Sequence, residues 1–330
     1  MTQYFLGADV GGTKCHALIA DQEGNARGFA ESGPGNHEVV GYNGLKAAFK
    51  EITASALRGA GIKINQIAGA GFGVAGYDWP SEREPTFEAI STLGLECPFE
   101  AVNDTIVGLL AGATKGWGVA VVGGTGCNCW GWNQERKIGH VSGCGGLFGE
   151  HGGGGDIVHR AIQSVAYEWS GRGPTTKLTQ AFLERTGAHN LDDLLEGLIL
   201  DRYFLNSYVA PTVFQIANEG DPVAQDVLRW AGYELGMLGV TVINQLEIKG
   251  LEFEVVLVGS LYRGSPILVE TMRQTILEVA PKAVLVPLSA PPVVGGVLLG
   301  MEKAGLAAQN YRGRLVETTR EYIEMYTSWV

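Results

Sequence analysis

The sequence predicts an α/β protein of about two domains, and its length, its alternating elements and a repeated glycine turn carry this prediction. The chain has 330 residues, enough for two ordinary domains, and 45 % of them are hydrophobic, so it can bury a large core. Short apolar runs alternate with amphipathic segments of helical length, as in an α/β layer. The stretch "WGVAVVGGTGCNCWGW" at 117–132 repeats the strand, glycine turn and strand that open the chain at 5–25. We interpret the repeat as a weak internal duplication.

The first part of the chain contains the elements of one sheet. Residues 4–10 and 15–20 read as apolar strands, and "DQEGN" is a turn that leads to a third strand. Apolar residues then recur at helical spacing over 42–61, and Gly59 and Gly61 end this helix. The remaining predicted elements here are strands over 64–76 and 98–102 and a helix over 105–113.

The second part repeats this organisation with a helical insertion. After the strands of 117–132 comes a glycine-rich loop at 143–155 and then a mostly helical region to about 247. Asp221-Pro222 begins a long helix there, because aspartate is a good N-cap and proline suits the first helical position. We expect strands at 253–260 and 283–287 and helices at 293–305 and from 312 onward. We assign 1–114 and 115–305 to two domains and expect the last helix, about 306–330, to pack back on the first.

Charge and composition exclude several classes of function. The net charge is −11 and no long basic run occurs, so nucleic-acid binding and binding to an anionic membrane are not expected. The N-terminus lacks a signal-peptide pattern, and no apolar run is long enough to span a bilayer. Five cysteines form no even disulfide framework. We therefore expect a cytoplasmic protein. We also expect it to act on a small molecule and to form a homodimer.

Two glycine turns are candidate phosphate sites. In the first, the bare backbone of Gly11 and Gly12 can donate N–H groups to phosphate oxygens, Thr13 adds a hydroxyl, and Asp9 could hold Mg²⁺. A plain hairpin with an aspartate-stabilised turn is the alternative. The second turn, at 123–126, has the same chemistry, so the two could hold one nucleotide tail across a cleft. A third site, Gly259-Ser260, follows a buried strand and would let a base or ribose approach the backbone.

Two other glycine patterns do not support a nucleotide site of another type. Gly71-x-Gly73-x-x-Gly76 has dinucleotide spacing, but its first glycines lie within a strand and not in a strand-to-helix turn. The run from Gly7 to Lys14 nearly fits a P-loop, yet it reverses the required Lys-Thr order and leads to a strand. We reject both interpretations.

Asp104 is the candidate base. It lies where a predicted strand ends and a helix begins, in "AVNDTIVGLLAG". One interpretation is a helix N-cap. The other is a general base that accepts the proton of a substrate hydroxyl during phosphoryl transfer, a reaction that otherwise needs mainly positioning and charge neutralisation.

These motifs in this order resemble the actin-like ATPase and sugar-kinase superfamily. "GADVGGTK", "VNDTIVGLLAG", "VVGGTGCNCWG", "LVGSLYRGSP" and "PPVVGGVLLG" look like its first phosphate, first connecting, second phosphate, adenosine and second connecting motifs. The chain is more narrowly similar to N-acetylglucosamine kinases and the BadF/BadG-type ATPase family. That closer match lies in "GPGNH", "GVAG", Asp104, "GGTGCNC" and "SGCGG".

The resemblance implies two ribonuclease-H-like domains with ATP, Mg²⁺ and a sugar in the cleft between them. It implies that Asp104 deprotonates the acceptor hydroxyl and that Asp9 positions Mg²⁺. The residues implied in nucleotide binding are Gly11, Gly12, Thr13, Lys14, Gly124, Thr125, Gly126, Gly259 and Ser260. Those implied in sugar binding are Asn36, His37, Gly76, Asp104, Gly145, Gly146 and Glu150.

One stretch departs from the family pattern. The kinases carry a tryptophan-containing stretch and then Asp-Glu-Gly-Ser, where this chain has the shorter "GGLFGEHGGGG". Glu150 takes the place of the sugar-binding aspartate and can reach a sugar hydroxyl through its longer arm, and His151 follows it. Because the tryptophan is missing, the sequence leaves the exact sugar open.

Two alternatives remain. Cys127, Cys129, His140, Cys144 and His151 are zinc-type ligands within a short stretch, although their spacing fits no structural zinc pattern. Some BadF-type proteins are ATPase activators of 2-hydroxyacyl-CoA dehydratases and hold an iron–sulfur cluster between two subunits, for which Cys127 or Cys144 could serve. Asn36-His37 favours a kinase over an activator, and the presence of Asp9 and Asp104 favours a kinase over a non-catalytic sugar sensor.

Overall fold

A computed structural model describes residues 2–327 as two five-stranded sheets with helices packed around them. The strands are β1 (Tyr4–Val10), β2 (Cys15–Asp21), β3 (Ala26–Ser32), β4 (Ile67–Val74), β5 (Phe99–Asn103), β6 (Gly118–Gly123), β7 (Cys127–Trp132), β8 (Ile138–His140), β9 (Glu254–Val258) and β10 (Val284–Pro287). The helices are α1 (His37–Ala60), α2 (Arg83–Ser91), α3 (Asp104–Gly112), α4 (Gly154–Trp169), α5 (Lys177–Thr186), α6 (Leu191–Ile199), α7 (Ala210–Asn218), α8 (Pro222–Leu246), α9 (Pro266–Val279), α10 (Val293–Lys303) and α11 (Arg312–Thr327).

The two sheets have the same topology. The first has the order β3-β2-β1-β4-β5, and the second, counted from its other end, has the order β8-β7-β6-β9-β10. In each sheet the first three strands in chain order form an antiparallel meander, and the last two join parallel to the first strand's free edge. The predicted duplication and the predicted α/β fold of two ribonuclease-H-like domains are therefore confirmed.

Helix α10 packs on the first sheet at a glycine contact. Gly7 of β1 faces Val297, and Gly71 of β4 faces Gly296, so the helix lies almost on the strand backbones. A Cβ at Gly71 would lie 2.7 Å from Leu299 Cβ, closer than real side chains come. The chain thus returns to the first sheet at α10, earlier than the expected residue 306. The domain limits themselves stay a prediction.

The last helix, α11, lies along β3. The Thr318 hydroxyl donates to Gly24 O (3.0 Å) and accepts the Ala26 N–H (3.1 Å), and the Tyr322 hydroxyl donates to Arg27 O (3.2 Å). Residues 328–330, which we had assigned to this helix, lie outside the described residues. The contacts join the end of the chain to the first sheet.

The start of one helix differs from the sequence prediction, and two short elements were missed. α1 begins at His37, before the predicted 42, and bends at Gly41, whose φ is 68°. α2 and β8 were not predicted, because α2 is rich in polar residues and β8 has only three residues. Among residues 2–327, no helix combines the length and apolarity that crossing a bilayer requires.

Candidate active site

A cavity of about 990 Å³ lies where the two sheets face each other. It is lined by the first glycine turn, by Asp104 and by the end of β9. The predicted site residues that it brings together are Asp9, Gly11, Gly12, Thr13, Lys14, Asp104 and Gly259. Residues that are far apart in the sequence therefore line one cavity.

The first glycine turn is the hairpin between β1 and β2. The Gly11 N–H donates to Lys14 O (3.1 Å), and Gly11 O accepts the N–H groups of Gly35 (3.0 Å) and Asn36 (3.2 Å). A Cβ at Gly12 would meet no described atom within 4 Å. Backbone hydrogen bonds thus hold the turn in place, and its Gly12 backbone stays open towards the cavity, as a phosphate site requires.

The second glycine turn joins β6 to β7 and abuts the N-terminus of α4. The Gly154 N–H donates to Gly124 O (2.8 Å), and the Gly155 N–H donates to Thr125 O (3.0 Å). A Cβ at Gly124 or Gly126 would also meet none of the described atoms within 4 Å. This turn is likewise held from one side and open on the other.

A second cavity, of about 750 Å³, is lined by three of the four remaining predicted nucleotide residues, Gly124, Thr125 and Ser260, whereas Gly126 lines neither cavity. It adjoins the first cavity at the end of β9, since Gly259 lines one and Ser260 lines the other. The sequence did not single out the other residues of its wall, because the helical insertion that supplies them carries no local motif. They include Ser207, Tyr208, Phe214, Gln215 and Asn218.

Gly259 is required by its backbone. Its φ is +114°, a conformation that side chains rarely adopt, and its Cα lies against Gly123 at the end of β6. The glycines of the second and third predicted sites therefore touch. The close approach fixes the geometry between the phosphate turn and the second cavity.

Asp104 is the first residue of α3, and the helix cap is its neighbour. Asn103 Oδ1 accepts the Thr105 N–H (2.9 Å), so the interpretation of Asp104 as the N-cap is wrong. Burial, with the nearby charges of Asp9 and Asp78, raises the pKa of Asp104 to about 7. A carboxylate that titrates near neutral pH is suited to accept a proton from an alcohol.

His16 is a site residue that sequence reasoning missed. It pairs with Asp9 across the hairpin, and its ring contacts Glu31 Oε2 (2.8 Å) and Asp9 Oδ2 (3.9 Å). Burial lowers the pKa of His16, but the interactions with Asp9 and Glu31 outweigh it and the pKa is raised. Lys14 pairs with the same Glu31 (3.4 Å), so the Lys14 ammonium group and the His16 imidazole lie side by side at the cavity.

Asn36, His37 and Gly76 meet at the start of α1. Gly76 has φ +80°, and a Cβ there would lie 2.6 Å from Asn36 Oδ1 and 3.1 Å from His37 Cε1. Asn36 Oδ1 accepts the Glu38 N–H (2.9 Å), so Asn36 also caps α1. The structure brings together three of the residues predicted to bind sugar.

Gly145, Gly146 and Glu150 meet in the loop before α4. The Glu150 N–H donates to Gly145 O (3.1 Å), and Glu150 Oε1 accepts the N–H (2.7 Å) and hydroxyl (2.8 Å) of Ser142. Glu150 is only 8 % exposed, and its Oε2 has no hydrogen-bond partner in the part of the chain that the structure describes. An unpartnered buried carboxylate oxygen is costly unless a ligand satisfies it.

The zinc ligand set that the sequence raised as an alternative does not come together among the described residues. Within residues 2–327 no three histidine, cysteine, aspartate or glutamate side chains are grouped to hold a metal ion, so the zinc set does not assemble. Cys127 is buried, and burial raises its pKa to about 12. It is therefore a buried thiol and is poorly suited to a cluster shared between two subunits.

The duplicated fold and the paired glycine turns define the class of protein, an α/β protein with the actin-like fold of two ribonuclease-H-like sheets. The chain belongs to the BadF/BadG/BcrA/BcrD ATPase family, whose model matches residues 6–300.

The relatives and a solved structure agree with this assignment. An N-acetyl-D-glucosamine kinase of Dictyostelium discoideum is 27 % identical over 312 residues, covering 91 % of this chain and 98 % of the relative. An N-acetylmuramic acid/N-acetylglucosamine kinase of Clostridium acetobutylicum is 24 % identical, covering 90 % and 98 %. A solved structure from Chromobacterium violaceum has a TM-score of 0.65 at 22 % identity, covering 90 % of this chain and 98 % of that one, which supports the fold.

Proposed function

We propose that this protein is an ATP-dependent sugar kinase. It transfers the γ-phosphoryl group to a hydroxyl of N-acetylglucosamine or of a related hexosamine or hexose, with O6 as the expected acceptor. The observation that carries the proposal is that the first glycine turn and Asp104 line one cavity, and that the second glycine turn lines a cavity next to it, where Gly259 lines the first and Ser260 the second. The names of the relatives, which cover nearly the whole chain, support this substrate class.

The reaction follows from the residues at the cleft. Asp104 accepts the proton of the sugar hydroxyl while the bond from that oxygen to the γ-phosphorus forms and the bond from phosphorus to the β-phosphate oxygen breaks, releasing ADP. The raised pKa of Asp104 suits this role near neutral pH. The backbone N–H groups of the glycine turns stabilise charge on the phosphate oxygens.

The residues present fit a nucleotide and a hard cation. Gly12 leaves bare backbone at the first cavity and Gly124 at the second, and the carboxylate of Asp9 lines the first cavity together with Gly12. When bound, Mg²⁺ would neutralise phosphate charge, and Asp9 would hold it directly or through water. The second cavity, beside Ser260, would hold the adenosine.

The sugar would lie between Asp104 and the loop that contains Glu150. The unpartnered Oε2 of Glu150 is an acceptor for a sugar hydroxyl, and Asn36, His37 and Gly76 would supply the opposite side. Gly145 and Gly146 allow the sugar to approach the backbone. This arrangement supports a sugar as the acceptor and leaves the choice among hexosamines to experiment.

The alternative is the activator of a 2-hydroxyacyl-CoA dehydratase. A cluster shared by two subunits needs exposed thiolates, whereas Cys127 is buried and Cys144 is the exposed cysteine among those described. The kinase is therefore the better supported function. A cytoplasmic location and a homodimeric state are parts of this proposal.

A coupled assay of ADP release over a panel of sugars tests the proposal. We expect release that depends on N-acetylglucosamine or a close relative, and an Asp104→Asn variant with turnover lower by about a hundredfold or more but with unchanged nucleotide affinity. Asp226→Asn, on the exposed face of α8, is the matched control and should keep full activity. ADP release that ignores every sugar, or full activity of Asp104→Asn, would contradict the proposal. A brown, oxygen-sensitive protein would favour the activator.

A further inference from the structure

Asp78 lies between the two halves of the molecule, in the turn after β4. Asp78 Oδ1 accepts a hydrogen bond from Asn103 Nδ2 (2.9 Å) at the end of β5, in the first sheet. The Asp78 carboxylate also interacts with the side-chain amide of Asn128 on β7, in the second sheet. We propose that Asp78 is a positioning residue that links the two domains and thereby places Asp104 for phosphoryl transfer. The inference rests on the proposed kinase function.

The link from Asp78 to Asp104 runs through the cap of α3. Asn103 uses its side-chain oxygen to accept the Thr105 N–H (2.9 Å) and its side-chain nitrogen to bind Asp78. In the sequence, Asp104 lies between Asn103 and Thr105, the two residues that this capping hydrogen bond joins. A shift of the Asn103 side chain would therefore move the first turn of α3 and the carboxylate that it carries.

The link to the second sheet is fixed in the same way. Asn128 Oδ1 accepts the Cys129 N–H (2.8 Å), which leaves its side-chain nitrogen for Asp78. That nitrogen also lies beside Gly143, in the loop that leads to Glu150: a Cβ added at Gly143 would be 3.0 Å from it. Asp78 thus contacts the strand that begins directly after the second glycine turn.

The turn that carries Asp78 is itself anchored. Glu82 Oε2 accepts the N–H groups of Asp78 (2.8 Å) and Trp79 (2.7 Å), and Glu82 Oε1 lies 3.6 Å from His37 Nε2. A backbone held by two hydrogen bonds leaves the Asp78 side chain little freedom. It can therefore transmit a displacement of Asn128 to Asn103.

The two neighbouring amides explain why this residue is a carboxylate. Both Asn103 and Asn128 present N–H donors to position 78, because their oxygens are already used by backbone N–H groups. A carboxylate accepts from both donors. Asparagine at position 78 has a single oxygen, so one donor would face another amide nitrogen.

This donor and acceptor pattern gives a sharp test. In the assay of sugar-dependent ADP release, we expect Asp78→Asn to lower kcat at least about tenfold and to leave the KM for ATP within about twofold. Asn103→Ser keeps a capping oxygen for Thr105 but deletes the donor to Asp78, and should give a similar loss. The exchange D78N/N103D restores complementary partners and should recover most of the activity.

Glu100→Gln is the matched control, because Glu100 lies near Asp78 but pairs with Lys303 (2.8 Å), and its kcat should not change. If none of the sugars in the panel stimulates ADP release by the wild-type protein, the proposed function and this inference both fail. If the wild type is active and both Asp78→Asn and Asn103→Ser keep its kcat, the inference alone is overturned. A folded exchange variant no better than Asp78→Asn would also overturn it.

Discussion

Replacing the base should make the protein more stable as well as inactive. Burial and the charges of Asp9 and Asp78 raise the pKa of Asp104 from its ordinary 3.8 to about 7. The folded state therefore binds a proton that the unfolded chain releases, and stability falls as pH rises from about 4 to about 7. Asparagine carries no charge, so Asp104→Asn removes this loss of folding stability at higher pH.

The expected gain follows from the size of the pKa change. Each pKa unit corresponds to about 1.4 kcal/mol of unfolding free energy. The change from 3.8 to about 7 therefore sets an upper bound of about 4 kcal/mol on the stability that Asp104→Asn gains above pH 7. Asp104 lines an open cleft that water enters, so we expect roughly half of this, about 2 kcal/mol. The gain should shrink as the pH falls towards 4, where both states are protonated.

Urea unfolding of Asp104→Asn and wild type at pH 8 and at pH 5, without nucleotide, measures this difference. Asp221 is a control of opposite sign: burial raises its pKa, but hydrogen bonds from Ala224, Lys177 and Thr176 outweigh it and the pKa is lowered. Asp221→Asn should therefore cost stability at pH 8. A gain for Asp104→Asn that is equal at both pH values, or a loss at pH 8, would refute the reasoning.

Three further predictions follow from the fold and the cleft. Gly124→Ala should keep the unfolding temperature but raise the KM for ATP about tenfold or more, because its Cβ enters only the open cleft. Gly250→Ala is the control: a Cβ there also has no neighbour within 4 Å among the described residues, and it should change neither the unfolding temperature nor the KM. Glu150→Gln replaces the unpartnered oxygen with a donor and should raise the KM for the sugar, as measured by the same assay, with the KM for ATP unchanged; equal sugar KM values would exclude this contact. Gly71→Ala should destabilise the protein by about 3 kcal/mol in urea unfolding, because the methyl group would press on α10, and an unchanged midpoint would contradict that packing.

The sequence predicted what local patterns encode. Each glycine turn lies between two recognisable strands, so its position and its openness could be inferred, and Asp104 lies at a strand-to-helix junction in the expected place. The two cavities then bring these segments together as the duplication implied.

The sequence could not identify features that depend on the approach of distant segments. Asn103 and Asp104 are both good caps, and only the register at the start of α3 assigns the cap to Asn103. The contact of Asp78 with Asn128 joins two sheets, and no local signal indicates that these two residues meet. The packing of α10 on the first sheet likewise depends on glycines that match only in three dimensions.

The central claim is that one nucleotide tail lies between the two glycine turns with a sugar hydroxyl at Asp104. A crystal structure with a non-hydrolysable ATP analogue and N-acetylglucosamine measures this directly. We predict the terminal phosphate between Gly12 and Gly124, and the sugar O6 within about 3 Å of an Asp104 carboxylate oxygen. A nucleotide bound away from either turn, or a sugar with no hydroxyl near Asp104, would contradict the account.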